Sequence, residues 1–306
     1  MGAPHVVVVG SSNTDMIVRM DRIPRPGETI LGGEFITAAG GKGANQAVGA
    51  ARAGGQVTFI ARVGNDMLGE QAIAGFVSEG INVDHVTRDP ASPSGVALIF
   101  VGRDGENSIA VASGANRNLS PADVRKARGA FAGASVLVMQ METPLETLQA
   151  AADLAVEAGV KVILNPAPAG PLPDSLLRHV SVLTPNETEA ELLTGIKVDT
   201  TVAAEQAAGN LIARGVETVV ITLGARGALV ATAKERRLVP GFKVEAIDTT
   251  AAGDTFNGAL AVALAERQPL DDAVRFANAA GAIAVTRMGA QPSAPRREEI
   301  EKLVAG

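Results

Sequence analysis

The residues best suited to chemistry in this chain lie in two glycine-rich segments. One of them, Asp248-Thr249-Thr250-Ala251-Ala252-Gly253-Asp254-Thr255-Phe256-Asn257-Gly258, opens an apolar run of helical period. Small side chains at Ala251, Ala252 and Gly253 let successive backbone N–H groups converge on one point, where the positive end of the helix dipole adds to them. The segment therefore predicts an anion hole. Asp254 stands beside that hole. An acid in a first helical turn is ordinarily a cap, but a second carboxylate at Asp248, on the other side of the same cradle, favours a chemical role. The other segment, Gly40-Gly41-Lys42-Gly43-Ala44-Asn45-Gln46, exposes backbone N–H and C=O groups at the mouth of a helix. Lys42, Asn45 and Gln46 add donors and acceptors that suit a polyhydroxylated ligand. A tight turn before a helix is the plainer alternative.

What the chain lacks narrows the chemistry. It has no Cys, which excludes disulfides, thiolate nucleophiles and Cys-ligated metals, and no Tyr. Its three histidines, His5, His85 and His179, are scattered and fit no metal-ligand spacing. A general base must then be Asp, Glu or Lys. The charge of −6 and the absence of Trp and Tyr remove the basic field and stacking platforms of nucleic-acid binders, so the expected partners are small molecules. Gly43 follows Lys42 where a Walker motif needs Ser or Thr, and the dinucleotide fingerprint is absent too. No stretch approaches 18 apolar residues and no signal segment opens the chain. Met1-Gly2 fails as a myristoylation signal because Val6 stands where Ser or Thr is needed. No membrane association and a cytoplasmic location are expected.

The elements that must position these residues read as an α/β fold. Val6–Gly10 is a β-branched run suited to a strand buried on both faces, and similar runs recur at Val57–Val63, Val136–Met141, Val160–Leu164, Val180–Leu183 and Val219–Leu223. Segments of helical period separate most of them, which predicts a doubly wound, mostly parallel sheet flanked by helices. Ser120-Pro121 with Asp123, and Thr143-Pro144 with Glu146, each place a hydroxyl cap before a proline at a helix start. Ala-rich helices are expected over Ala252–Glu266, Leu270–Thr286 and Pro295–Ala305. Two pieces break the rhythm. Asp15–Asp21 and Thr29–Thr37, around Pro24-Arg25-Pro26-Gly27, and the hairpin Gly95–Val101 with Asn107–Ala112, around Arg103-Asp104-Gly105-Glu106, suggest a small β-sheet lid spanning about 13–37 and 95–112. Both faces of Val96–Val101 are apolar, and Met16, Val18 and Met20 share one face of the neighbouring strand. One side should cover the main sheet and the other a second copy in a homodimer. With no linker and no internal repeat, residues 1–306 read as a single domain.

The two glycine-rich segments resemble both signature sequences of the phosphofructokinase-B carbohydrate kinase family, and Gly40–Ala47 with Asp248–Gly258 is most similar to its ribokinase branch. Asn13-Thr14-Asp15, Gln140-Met141-Glu142, Asn165-Pro166-Ala167-Pro168, Thr184–Glu189, Thr222-Leu223-Gly224 and Gly289–Ser293 are similar in order and spacing over nearly the whole chain. The resemblance implies ATP-dependent phosphorylation of D-ribose at its 5-hydroxyl, with magnesium required and potassium activating. It implies that Asn13, Asp15, Gly41, Lys42, Asn45 and Glu142 hold sugar hydroxyls. Asp254 would take the proton of the attacking hydroxyl while the N–H groups of Ala251, Ala252, Gly253 and Asp254 neutralise the transferring group. Asn186 and Glu189 would organise magnesium through water, and Thr222, Gly224, Gly227, Gly253 and Asn278 would serve the nucleotide. A monovalent cation would lie between Asp248 and Thr250 on one side and Ala284, Arg287, Gly289 and Ser293 on the other. A kinase for deoxyribose, a ketohexose or a nucleoside remains open, as does a non-catalytic binding regulator of the same fold.

Overall fold

Alternate valines of the opening run face opposite ways, and a helical layer covers each side. The computed structural model describes residues 4–104 and 106–306, so Gly105 of the expected hairpin turn lies outside the described residues. The chain runs β1 (His5–Val9), β2 (Asn13–Arg19), β3 (Glu34–Gly40), α1 (Lys42–Arg52), β4 (Gln56–Gly64), α2 (Met67–Ser78), β5 (Asn82–Asp89), β6 (Gly95–Val101) and β7 (Asn107–Ala112). It continues through α3 (Pro121–Lys126), α4 (Arg128–Phe131), β8 (Val136–Met139), α5 (Leu145–Glu157), β9 (Lys161–Leu164), α6 (Asp174–Leu177), β10 (Val182–Leu183), α7 (Glu187–Thr194) and α8 (Thr201–Ala213). The last elements are β11 (Thr218–Thr222), β12 (Gly227–Thr232), β13 (Arg236–Pro240), α9 (Ala252–Ala265), α10 (Leu270–Ala284) and α11 (Arg297–Ala305).

The main sheet has the order β13-β12-β11-β10-β9-β8-β1-β4-β5, parallel from β11 to β5 with an antiparallel edge at β12 and β13. Val6 and Val8 pack with α1, α9 and α10, whereas Val7 and Val9 pack with α3, α5 and α8. Each fully buried valine is worth about 1.5–3 kcal/mol relative to exposure, which explains why this run admits no polar residue. The chain winds outward from β1 to β4 and β5, then returns to the other flank at β8. The reversal of strand order therefore falls between β1 and β8, and open α/β sheets form ligand crevices beyond the carboxyl ends of strands at such a point.

The small sheet has the order β3-β2-β6-β7, with β2 and β6 parallel and the outer pairs antiparallel. Its first hairpin corrects the expected register: the return strand starts at Glu34, not Thr29, and runs on to Gly40. Gly32 and Gly33 hold φ of 99° and 110°, which breaks an extended run before Glu34. The second glycine segment is thus the direct continuation of a strand of the small sheet. Ser120 caps α3 as expected, and Asp123 bonds back to its N–H to complete a reciprocal capping box. Thr143 does not cap. Pro144 is extended (ψ 137°) and itself occupies the cap position, and the Thr143 hydroxyl is buried without a partner. Among the described residues no helix is long and apolar enough to cross a membrane.

Candidate active site

Close approach of α1 and α9 builds the centre of the site. A Cβ at Gly258 would lie 2.6 Å from the backbone N of Ala50 and 2.7 Å from the carbonyl of Gln46, so only glycine lets these helices meet. The contact brings the amides of α1 onto the first-turn acid of α9. Asn45 Nδ2 donates to Asp254 Oδ2 at 3.0 Å and Gln46 Nε2 donates to Oδ1 at 2.9 Å. Asp254 is only 5% exposed. Burial raises its carboxyl above the usual range, opposed by the Lys42 charge and by the Asn45 and Gln46 donors. A first-turn carboxylate would be a feeble base on dipole grounds alone; desolvation strengthens it as a proton acceptor.

The N-terminus of α9 is shaped by Ala251, a non-glycine residue in the left-handed region (φ 55°, ψ 14°), a conformation that costs about 1–2 kcal/mol. The turn curls the Ala252 N–H back onto the Thr249 carbonyl at 3.3 Å. Ala252 therefore drops out of the expected anion hole as a donor. The N–H groups of Ala251, Gly253 and Asp254 have no acceptor among the described residues. Asn257 Nδ2 donates to the Gly253 carbonyl at 2.8 Å and steadies that peptide.

Across from α9, the other site residues gather at the β1–β8 crevice. Gly41, at φ 88°, lets the chain turn from β3 into α1, and a Cβ there would sit 2.6 Å from the Asn13 nitrogen. Glu142 Oε2 accepts from the Lys42 backbone N–H at 3.0 Å and from the Ser11 hydroxyl, so one carboxylate oxygen serves the positive end of α1. Asp15, on β2, lies close enough to Glu142, Asp254 and Lys42 to feel their charges. Burial first, then repulsion from Glu142 and Asp254, pushes its carboxyl up to about 6, with Lys42 opposing. Burial would lower the Lys42 ammonium, but Asp254, Glu142, Glu189 and Asp15 together raise it. Asn13 and Glu142 line a cavity of ≈ 370 Å³ closed by Val111, Ser113, Asn116, Arg117, Met141, Thr143, Pro144 and Pro168. A larger hollow of ≈ 660 Å³, lined by His5, Thr58, Asn82 and His85 among others, lies at the amino ends of β1, β4 and β5, opposite this chemistry.

Of the residues expected to serve magnesium and the nucleotide, Asn186 follows β10 and Thr222 ends β11, and these two form a parallel bridge. Asn186 and Glu189 make the capping box of α7: the Glu189 N–H donates to Asn186 Oδ1 at 2.8 Å and the Asn186 N–H to Glu189 Oε2 at 2.9 Å. Glu189 is nonetheless near enough to feel Lys42 and Asp254, and burial raises its carboxyl. Gly224 (φ 57°) starts the turn after β11. Gly227 (φ 98°) has a plain structural reason, because a Cβ there would meet the Val239 carbonyl at 2.2 Å. Asn278 is spent on packing: its Nδ2 donates to the carbonyls of Val239 and Pro240 at 3.2 Å, tying α10 to β13. Pro240 pairs with Gly227, so Asn278 stays beside that turn.

Asp248 joins the two segments of the expected cation loop. Its Oδ1 accepts from Thr250 N–H and its Oδ2 from Gly289 N–H, both at 2.9 Å. Burial would raise its carboxyl, but the Thr250 and Gly289 hydrogen bonds hold it below the usual range. Ala284 ends α10, whose last turn leads into this loop; the Arg287 side chain pairs with Glu299, and Ser293 Oγ–H donates to Ala290 O at 2.7 Å. Sequence reasoning missed Ser11 and Asn116. Asn116 Nδ2 donates to Asn13 Oδ1 at 2.8 Å and its Oδ1 accepts from the Ser12 N–H at 2.8 Å, fixing the start of β2. Only the polar run Ser11-Ser12-Asn13 directly after a buried strand hinted at either.

The profile described as pfkB family carbohydrate kinase matches residues 3–297. A ribokinase of Haemophilus influenzae is 48% identical over 294 residues, 96% of this chain and 96% of that one. A deoxyribokinase of Salmonella typhimurium is 37% identical over 301 residues, 98% of each. The solved structure of Arabidopsis thaliana ribokinase complexed with ribose and ATP superposes with a TM-score of 0.92 at 35% identity, covering 100% of both chains.

Proposed function

This chain belongs to the pfkB family of carbohydrate kinases, and on that premise we propose that it transfers the γ-phosphoryl group of ATP to the 5-hydroxyl of D-ribose. One observation carries the reading: a buried, hydrogen-bonded carboxylate, Asp254, adjoins unpaired N–H groups at a helix N-terminus and faces the Asp15, Glu142 and Lys42 cluster. Asn13, Asp15, Gly41, Lys42, Asn45 and Glu142 hold the sugar hydroxyls. Asp254 Oδ accepts the 5-hydroxyl proton as the new O–P bond forms and the bond to the ADP oxygen breaks. The N–H groups of Ala251, Gly253 and Asp254 stabilise charge on the transferring oxygens. Thr222, Gly224 and Gly227 border the nucleotide, with Asn278 behind them.

The donor set fits magnesium. Glu189 Oε2 accepts from the Asn186 N–H while its Oε1 has no hydrogen bond among the described residues, and burial raises this carboxyl, so a hydrated cation beside that oxygen would be favoured. When bound with ATP, magnesium neutralises phosphate charge. The deoxyribokinase relative favours deoxyribose as a second substrate reading, whereas a non-catalytic regulator would have no use for an intact Asp254. A cytoplasmic setting suits an ATP-consuming chain without cysteine. Releasing ADP with ribose, deoxyribose, fructose and adenosine in parallel tests the assignment: ribose should give the highest kcat/KM, and preference for another acceptor would replace it.

Potassium activation rests on the Asp248 bridge. A large ion held by carbonyls of Ala284, Arg287, Gly289 and Ser293 and by Asp248 would fix Thr250, and so aim the neighbouring N–H groups. At constant ionic strength, turnover should be higher in potassium than in sodium or a bulky organic cation, and Asp248→Ala should abolish the difference. Equal rates in all three would remove the cation from the mechanism.

The homodimer rests on the small sheet. Strand register puts Met16, Val18, Phe35, Leu98 and Phe100 on the face opposite Asp15, and Phe35 and Leu98 remain 62% and 44% exposed. Strand β7 is exposed along its whole length. Pairing through this sheet would cover the apolar face. Sedimentation at micromolar concentration should give a dimer, and a monomer would overturn this arrangement.

A further inference from the structure

Behind Asp254 lies a set of buried amides that the phosphoryl transfer has not used. Gln140, just past β8, donates from Nε2 to Gln46 Oε1 at 2.6 Å. Gln46 Nε2 donates both to Asp254 Oδ1 at 2.9 Å and to Asn165 Oδ1 at 3.1 Å. Asn165 Nδ2 in turn donates to the backbone carbonyl of Thr184 at 3.0 Å. Gln46 and Gln140 are fully buried and Asn165 nearly so. The sense of the chain is not free. A backbone carbonyl only accepts, so Asn165 must turn its NH₂ toward Thr184 and its oxygen toward Gln46. Gln46 must then present its NH₂ to Asn165 and Asp254, which leaves its oxygen for Gln140.

The far end of the chain shows what this orientation costs. Gln140 Oε1 is buried with no partner among the described residues, a deficit usually worth about 1–3 kcal/mol. A Cβ on Gly10, just past β1, would lie 2.1 Å from that oxygen and 2.7 Å from the Gly43 Cα, so glycine there admits both the Gln140 side chain and the start of α1. A glutamine that served packing alone could be replaced by an apolar side chain at no such cost.

We propose that Gln140, Gln46 and Asn165 form a positioning relay that fixes the direction of the Asp254 carboxylate and keeps a donor on its Oδ1, so that the other lone pairs point toward the acceptor hydroxyl. The relay rests on the reading of Asp254 as the proton acceptor for ribose. None of the three residues touches the sugar in this scheme; Gln140 acts only through Gln46. Gly10, Gln46, Gln140 and Asn165 therefore form one unit spread over four segments, joined at the carboxyl ends of β1, β8 and β9.

Gln46→Met keeps the length of the side chain and removes both donated bonds. Its kcat with ribose should fall about 10- to 100-fold, with the ribose KM nearly unchanged. The acidic limb of its kcat profile should move to higher pH, because a carboxylate that loses a donor holds its proton more tightly. Lys42 on α1, Asp15 on β2, Glu142 after β8 and Glu189 on α7 act on Asp254 in both proteins, so the displacement reports the lost bond. Gln140→Met, which touches no atom of Asp254, should reproduce part of the loss, and the double variant should be no slower than Gln46→Met. A merely structural role would lower Tm while leaving kcat and the acidic limb of the folded variants at wild-type values, and that result would overturn the relay. If Gln46→Met does not fold, Gln140→Met decides alone: reduced kcat at constant KM supports the relay and unchanged kcat refutes it. Wild-type protein without ribose-dependent ADP release would instead refute the underlying reading of function.

Discussion

Asp254→Asn is expected to lower turnover with ribose by about 10²- to 10⁴-fold, the usual range for loss of a general base, while ribose still binds. The amide has the shape of the carboxylate but cannot take a proton in the transition state. Its effect on stability has two opposed parts. Removing a charge from a 5% exposed site relieves desolvation. The new NH₂ group, however, must face one of the two amides that donate to Asp254, either Asn45 or Gln46, and leaves that donor unsatisfied. The melting temperature should consequently change little, and calorimetry should find ribose affinity close to wild type. Turnover within a few-fold of wild type would remove Asp254 from the chemistry.

Asp15→Ala should act chiefly through the sugar. Loss of a charged hydrogen-bond acceptor typically costs about 1.5–3 kcal/mol, so kcat/KM for ribose should fall by roughly 10- to 100-fold, with a raised KM as the main component. Because the Asp15 carboxyl is pushed up to about 6, the wild-type affinity for ribose should weaken as pH falls through that value. The affinity of Asp15→Asn should show no such step there. Stability runs the other way. Between the ordinary carboxylate value and about 6 the folded protein holds a proton that the unfolded chain has released, so Asp15 destabilises the fold as pH rises through this window. Asp15→Asn should therefore melt a few degrees higher than wild type at neutral pH, with the gain gone by about pH 4. Identical melting curves at neutral pH would show that burial and the neighbouring carboxylates do not press on Asp15.

The difference between what was legible in the sequence and what was not follows chain contiguity. Gly40–Gln46 and Asp248–Gly258 announce themselves because a helix N-terminus concentrates its donors within a few consecutive residues. The β-branched run at β1 is equally plain, since burial on both faces admits only apolar side chains. Gln140, Asn165, Thr184 and Asn116 carry no such local signal: each is a polar residue just past a strand or within a turn, and strand order alone brings them together. The failed cap at Thr143 and the late start of β3 are local errors of a different kind. In the first, proline geometry moved the helix start; in the second, the pair Gly32-Gly33 broke the strand expected over Thr29–Thr37. Asn278 shows the converse, a polar residue inside an Ala-rich helix whose donor is already engaged by backbone carbonyls.

Asp254 is thus proposed to accept a proton from the 5-hydroxyl of ribose while the γ-phosphoryl group is transferred to that oxygen. Phosphorus NMR of the product formed from ATP and D-ribose tests it most directly. A phosphate ester split by two methylene protons, formed in step with ADP by the wild type and at least about 100-fold more slowly by Asp254→Asn, is the expected result. ADP released without a sugar phosphate, or phosphate carried on the anomeric oxygen and split by a single proton, would contradict the account.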